Sequence, residues 1–201
     1  MRFPTFRTIT TTHLHLYLIP ALISLICVCA QFSPLAGYFI WDRHAIIQGQ
    51  WWRILTGNFT HTNFYHLAMN LAALWLISLI FRPSPRHALV IIGVCSLSIG
   101  ISLFWTDIIR YVGLSGVLHG LFAGYALLEI LAGRRSSWLL LAGVAGKVGW
   151  EQCFGASPTT VALIQAPVAI QAHLAGFISG IVIVLIIHRF TLSGIQATDK
   201  S

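Results

Sequence analysis

Long apolar stretches separated by short polar segments make up most of the chain. A helix needs roughly 17–25 predominantly apolar residues to cross the hydrocarbon core of a bilayer. Six stretches approach or reach that length, at about residues 14–30, 66–81, 88–105, 114–132, 137–153 and 170–188. Several of them contain Gly, Ser or His, which favours packing within a bundle over exposure to lipid on every side. The pattern predicts an all-α membrane protein with six transmembrane helices, formed by residues 1–201 as a single domain.

The segments between the predicted helices carry the residues that end helices. FRPSPRH at 81–87, GRRSS at 133–137 and GASP at 155–158 are rich in Pro, Gly and Ser. The first connection, residues 31–65, is longer and mixes aromatic residues with few charges. Because Trp and Tyr prefer the membrane–water boundary, we expect this connection to lie half-sunk in the outer interface.

The distribution of Lys and Arg predicts the orientation in the membrane, because cytoplasmic loops carry an excess of these residues. With six spans and a cytoplasmic N-terminus, the inner side holds Arg2, Arg7, Arg82, Arg86, Arg134, Arg135, Arg189 and Lys200. The outer side holds Arg43, Arg53, Arg110 and Lys147. We therefore expect both termini in the cytoplasm. An alternative is that residues 1–30 form a cleaved signal peptide ending near CVCAQ, which leaves the later spans in the same orientation.

Composition narrows the function classes. The chain is 57% hydrophobic and 8% charged, which is too apolar for an ordinary soluble fold. The net charge is +7, but no run of Lys and Arg is dense enough for a nucleic-acid partner. The four cysteines, Cys27, Cys29, Cys95 and Cys153, show no CxxC pairing. They are typical of small apolar side chains rather than of a disulfide framework or a zinc site.

Polar side chains near the outer ends of three predicted spans indicate a functional site, because such groups are costly inside a membrane. His66 and Asn70 lie four residues apart and project from one face of the second span. Ser115 begins the fourth span, and His173 lies near the start of the sixth. A neutral histidine can take the proton of a serine hydroxyl and make it a nucleophile. The helix N-terminus at Ser115 favours a developing oxyanion, to which we expect His66 and Asn70 to donate further hydrogen bonds.

Glycine spacing predicts which spans meet. Gly116, Gly120 and Gly124 form one stripe on the fourth span, and Gly176 and Gly180 form another on the sixth. Small residues at this period let transmembrane helices pack backbone to backbone. We therefore expect the fourth and sixth spans to touch, with the serine beside the histidine.

Three motifs in order, WRILTGNFTHTNFYHLAMN (52–70), GLSG (113–116) and AHLAG (172–176), resemble those of the rhomboid intramembrane serine proteases. The resemblance covers nearly the whole chain and implies a six-helix rhomboid-like bundle without a cofactor or metal. It implies that Ser115 is the nucleophile and His173 the general base and acid. It further implies an oxyanion hole formed by His66, Asn70 and the Ser115 backbone N–H. Trp52 and Arg53 would belong to the interfacial loop between the first two spans.

One departure points to a branch of this family. Rhomboids commonly place a tyrosine four residues after the serine, whereas this chain has His119. The forms GLSGVLHG and KVGWEQ resemble the rhombosortase branch. That resemblance implies a bacterial inner-membrane enzyme whose active site opens to the periplasm. Its partners would be the lipid bilayer and membrane-anchored proteins that end in a sorting tail, with a Gly-Gly motif, one hydrophobic span and basic residues.

Several roles stay open at this point. His119 either packs on His173 or takes part in proton transfer. Lys147 and Glu151, four residues apart, are read first as a charge pair, with an acid that orients His173 as the alternative. His61 is expected to stabilise its loop.

Three other functions compete with the protease hypothesis. In the first alternative a metal is bound by four histidines, His61, His66, His119 and His173. No carboxylate accompanies them, and this alternative leaves GLSG unexplained. A catalytically inactive rhomboid-like protein would bind transmembrane segments without cutting them. A transporter is the weakest alternative, because the chain shows no paired halves with broken helices.

Overall fold

The computed structural model describes the backbone of residues 6–198 and the side chains of residues 17–190. Long helices occupy all six predicted stretches: α1 (Phe6–Cys29), α5 (Phe64–Phe81), α6 (Pro85–Ser102), α7 (Ser115–Leu131), α8 (Ser137–Phe154) and α10 (Ile170–Thr198). Between them lie α2 (Leu35–Phe39), β1 (Trp41–Asp42), α3 (Arg43–Ile47), α4 (Arg53–Thr56), β2 (Arg110–Tyr111) and α9 (Pro158–Ile164). Two 3₁₀ turns, Gly57–Phe59 and Leu103–Trp105, complete the described chain.

Within the described part of the chain, three segments are long and apolar enough to cross a membrane: Phe64–Phe81, Pro85–Trp105 and Ile170–Phe190. Tyr17–Cys29 and Ser115–Leu131 are apolar but shorter. Crossing by all six helices therefore stays a prediction. Of the basic residues counted for the orientation, Arg2 and Lys200 lie outside the described residues, as does the side chain of Arg7.

Helix α7 lies at the centre of the bundle and packs against α5, α6, α8 and α10. Its buried residues fall on most sides of the helix and include Val117, Leu121 and Ala126. A helix that is apolar all round can be buried in this way. Ser115 therefore begins a helix that four of the other long helices surround.

The predicted contact between the fourth and sixth spans is confirmed as the contact of α7 with α10. A Cβ atom on Gly176 would overlap the carbonyl oxygen of Gly116, and one on Gly180 would overlap that of Gly120. The backbones of the two helices therefore touch directly, which only glycine permits at these positions.

The first connection folds into short elements fastened to the end of α6. Strands β1 and β2 pair antiparallel, with Trp41 opposite Tyr111. The fully buried Trp41 donates its ring N–H to the Gly100 carbonyl at 2.9 Å. Arg43 Nη2 donates to three carbonyls that follow α6, at 2.9, 2.5 and 2.9 Å, those of Leu103, Thr106 and Ile108. Trp51 and Trp52 stay 71% and 48% exposed, and their place in the membrane interface remains a prediction.

All four cysteines are free thiols, as the sequence predicts. Cys27 and Cys95 are buried among apolar residues, whereas Cys29 and Cys153 are exposed.

Candidate active site

Ser115 is the first residue of α7, and the chain reaches it through a constrained turn. Gly113 has φ +127°, a conformation that side chains disfavour. Its N–H donates to the Gly57 carbonyl at 3.0 Å, and its own carbonyl accepts from the Tyr111 hydroxyl at 2.7 Å. A serine at the start of a helix most commonly caps it. Here the N-cap of α7 is Leu114, so the Ser115 hydroxyl does not have that role.

The Ser115 hydroxyl meets a buried histidine instead. Its Oγ lies 2.8 Å from Nε2 of His173, which is 4% exposed near the start of α10. The other ring nitrogen, Nδ1, lies 2.7 Å from Oε2 of Glu151 on α8. The second oxygen of Glu151 accepts from Nζ of Lys147 at 2.8 Å. Four groups on three helices thus form one continuous hydrogen-bonded chain.

Glu151 makes both of the contacts that its position in the sequence allows. The charge pair with Lys147 is present, and so is the bond to His173 that was the less favoured alternative. The sequence signal for the second contact was only the presence of an acid near the outer end of the fifth predicted span.

His119 packs on His173. The two rings are stacked with centroids 4.2 Å apart and planes inclined by 21°. Nδ1 of His119 lies 2.7 Å from the Ser115 carbonyl oxygen, which can only accept, so this nitrogen carries a proton. His119 therefore supports both residues of the pair from one side.

His66 and Asn70 project from the beginning of α5, which Asn63 caps by accepting from the His66 N–H at 2.9 Å. Thr62 approaches Nδ1 of His66, with its backbone N at 3.5 Å and its hydroxyl at 3.2 Å. The Nε2 side of the ring faces Gly113, where a Cβ atom would lie 2.9 Å from Nε2. Asn70 donates to the His66 carbonyl at 2.9 Å, so part of its amide is used within α5.

His61 lies behind His66, and their rings meet edge to face at 5.0 Å. Burial, followed by the nearby His66, lowers the pKa of His61 to about 3, so this ring is neutral at ordinary pH. Its backbone carbonyl accepts from the Gln31 side chain at 3.2 Å, which links the loop to the residues after α1.

A cleft of about 370 Å³ leads to Ser115. One wall is the segment Ile108–Val112, which includes β2, and the other is the connection from Ile164 to Gln171. Thr62 and His66 close the end beside the serine. The cleft is lined by both apolar and polar groups, so an extended peptide with backbone hydrogen-bonding groups suits it.

Among the described residues, one group of potential metal ligands is His119, Glu151 and His173, whose donor atoms lie within 4.8 Å of one another. The two rings are stacked with nearly parallel planes, and Nδ1 of His119 already bonds to the Ser115 carbonyl. Both ring nitrogens of His173 already face hydrogen-bond partners. This set differs from the four histidines considered from the sequence, and its geometry fits a hydrogen-bonded relay better than a metal centre.

The model of the Rhomboid domain family matches residues 48–190, a span that includes Ser115, His173 and the other residues of the site. No curated protein matches the chain. The family match covers more than half of the sequence, and the described helices include three that can span a bilayer. The chain is therefore an integral membrane protein that belongs to the rhomboid family.

Proposed function

We propose that this protein is a serine endopeptidase that cleaves transmembrane segments, with Ser115 and His173 as its catalytic residues. The observation that carries the proposal is the 2.8 Å contact of Ser115 Oγ with His173 Nε2 at the end of an open cleft. Membership of the rhomboid family supports the same chemistry. Neither cofactor nor metal is needed for it.

The reaction follows from the positions of the donors and acceptors. His173 Nε2 takes the hydroxyl proton while Ser115 Oγ attacks the peptide carbonyl carbon. The resulting oxyanion accepts hydrogen bonds from the Ser115 backbone N–H, at the N-terminus of α7, and from Nε2 of His66. The proton then passes from His173 to the leaving amine. Water, activated by the same histidine, hydrolyses the acyl ester and restores Ser115.

Asn70 completes the proposed oxyanion hole from one turn deeper in α5. Its amide has two N–H groups, and the bond to the His66 carbonyl engages one of them. The other is available to the oxyanion. His119 supports the pair through its stack on His173 and its bond to the Ser115 carbonyl.

The proposed substrate is an exported protein with a C-terminal sorting tail of the Gly-Gly type, as in rhombosortases. Glycine disfavours helix by roughly 1 kcal/mol relative to alanine, so a Gly-Gly pair opens easily for attack. An apolar groove of about 420 Å³ between α5, α7 and α8 reaches His119 and offers a surface for the hydrophobic span of the tail. The proposal includes the topology. The protein spans the inner membrane of a bacterium six times as one domain, with both termini in the cytoplasm and the cleft open to the periplasm.

The test of the chemistry is labelling of the purified protein with a fluorophosphonate and location of the modified residue by mass spectrometry. We expect modification at Ser115, none in Ser115→Ala, and little in His173→Ala. Ser78→Ala is the matched control. This buried serine lies in the last turns of α5, and its hydroxyl donates to the Leu74 carbonyl of the same helix. Wild-type labelling of either site variant would remove the pair from the mechanism.

The test of the substrate is a reporter protein that ends in Gly-Gly, a hydrophobic span and basic residues. We expect cleavage when it is expressed with the enzyme, and loss of cleavage when Leu-Leu replaces Gly-Gly. Equal cleavage of both reporters would overturn the substrate proposal and leave the protease proposal standing.

The second candidate function is an inactive rhomboid-like protein that binds transmembrane segments. The apolar groove between α5 and α8 is compatible with it. The contact between Ser115 and His173 favours the enzyme, and absence of fluorophosphonate labelling together with binding of the uncut reporter would favour the inactive protein.

A further inference from the structure

We infer that Glu151 is a positioning residue that turns the pair of Ser115 and His173 into a Ser–His–Glu triad. The inference rests on the proposed protease function and adds a third helix, α8, to the site. Its basis is the 2.7 Å contact between Glu151 Oε2 and His173 Nδ1, within the buried interior of the bundle.

The proposed reaction requires the two ring nitrogens of His173 to differ in protonation. Nε2 can accept the Ser115 proton only if it carries no proton itself, so the neutral ring must hold its proton on Nδ1. A carboxylate at 2.7 Å from Nδ1 can only accept, and it therefore selects this tautomer. After proton transfer the ring becomes an imidazolium, which the negative charge of Glu151 stabilises.

Glu151 is itself held in place. Glu151 is 8% exposed. Lys147, one turn earlier on α8, donates to Oε1 of Glu151 at 2.8 Å. A buried carboxylate is costly unless hydrogen bonds and an opposite charge compensate for it. With one oxygen bound to Lys147 and the other to His173, the carboxyl plane has little freedom to turn away from the imidazole.

The simpler explanation is that Lys147 and Glu151 form a stabilising ion pair that happens to touch His173. A second acidic residue that is partly buried, Glu129, permits a matched comparison with Glu151. Glu129, near the end of α7, accepts from Arg134 at 2.7 Å and from the Ser137 hydroxyl. It lies 14 residues after Ser115 on the same helix, roughly 20 Å away along the axis.

The experiment measures the rate of fluorophosphonate labelling of Ser115 in the full-length protein as the reagent concentration increases. Glu151→Gln should lower the maximal rate by about 10⁴-fold, the loss seen when the acid of a triad is neutralised, with little change in the half-saturating concentration. Glu151→Asp keeps the charge and should recover part of the rate. Glu129→Gln, the same chemical change at the distant pair, should label at the wild-type rate.

Variants of Lys147 separate positioning from simple stabilisation. Loss of the ion pair affects Lys147→Gln and Glu151→Gln alike, whereas only the second removes the negative charge beside His173 and replaces an acceptor-only group by an amide that can also donate. We expect Lys147→Gln to slow labelling less than about 10-fold, because the Lys147 side chain is 49% exposed and ion pairs with an exposed partner contribute little. The double variant should be as slow as Glu151→Gln alone.

Three outcomes overturn the inference. Labelling of Glu151→Gln at the wild-type rate, or restoration of the rate in the double variant, would show that Glu151 does not orient His173. If Glu151→Gln does not fold, as judged by helical circular dichroism, then Glu151→Asp must still label more slowly than Lys147→Gln, and the reverse order counts against the triad. Labelling of Ser115→Ala, by contrast, would remove the proposed function itself.

Discussion

Gly176 of α10 lies so close to the carbonyl oxygen of Gly116 on α7 that no side chain fits between them. Gly116 and Gly176 flank the pair formed by Ser115 and His173, each at most three residues away. The distance between the serine and the histidine is therefore set by a direct contact of two backbones.

Gly176→Ala should separate α7 from α10 and lower both activity and stability. Overpacking typically costs about 1–3 kcal/mol, and the separation falls directly on the Ser115–His173 bond. Labelling by a fluorophosphonate and the thermal unfolding midpoint measure the two effects. Gly143→Ala is the control, because a Cβ atom there meets nothing within 4 Å. Equal behaviour of the two variants would contradict the backbone contact.

His66→Ala and Asn70→Ala should slow cleavage without ending it. Loss of one oxyanion donor typically costs about 10²- to 10³-fold in kcat, while the remaining donors still act. Cleavage of the tail reporter under single-turnover conditions measures the effect. Tyr65→Ala, an exposed neighbour on α5, should cleave normally. Wild-type rates in both variants would exclude these two residues from the oxyanion hole.

His119→Phe should retain more activity than His119→Ala. Phenylalanine keeps a ring against His173 but loses the bond from Nδ1 to the Ser115 carbonyl. An aromatic stack contributes about 0.5–1.5 kcal/mol, so the alanine variant should lose up to roughly 10-fold in rate. If both variants lose all labelling of Ser115, the ring takes part in proton transfer rather than in packing.

Arg53→Lys should destabilise the first connection almost as much as Arg53→Ala. The buried guanidinium donates to the carbonyls of Gly37 and Ile40, at 2.9 and 2.7 Å, and to the Gln50 side chain at 2.6 Å. A lysine cannot reproduce this fork, and hydrogen bonds to a charged group contribute about 1.5–3 kcal/mol each. The unfolding midpoint in detergent tests this. Arg135→Lys, at an exposed arginine, serves as the control. A wild-type unfolding midpoint in Arg53→Lys would argue against a role for the guanidinium fork.

Ser115→Cys should react with a membrane-impermeant maleimide added to the outer side, in a background without the four native cysteines. The reason is the cleft that leads from the surface to this position. Arg134→Cys, in the connection expected to face the cytoplasm, should react only after permeabilisation. The opposite pattern would reverse the proposed orientation.

Much of the site could be predicted because its information is local. The glycine stripes next to Ser115 and His173 identified the helices that touch, and a backbone contact leaves little freedom in how they do so. Apolar length likewise located the six long helices, although the third was expected at 88–105 and runs from Pro85 to Ser102. These features depend on residues close together in sequence.

The bond between Glu151 and His173 could not be predicted with the same assurance. Lys147 and Glu151 satisfy each other on one helix, so the sequence offers no reason to look for another partner. Which neighbour the second oxygen meets depends on the rotation of α8 about its axis, and a change of one residue is about 100°. Strands β1 and β2 could not be predicted for a different reason. Each has two residues, which are too few to show the alternation of apolar and polar positions that marks a strand.

The fastening of the first connection has a consequence for how the protein responds to the thickness of its bilayer. Bilayers differ in thickness by a few ångströms, and helices adapt by tilting or sliding. The residues that lead into Ser115 are joined to this connection through β1, Gly57 and Arg43. With the first connection at the interface, as predicted, the position of these residues is set by this surface segment rather than by the midplane of the membrane. In thicker or thinner bilayers the serine should keep its depth below that surface, so that the point of attack on a substrate is measured from the headgroups inwards.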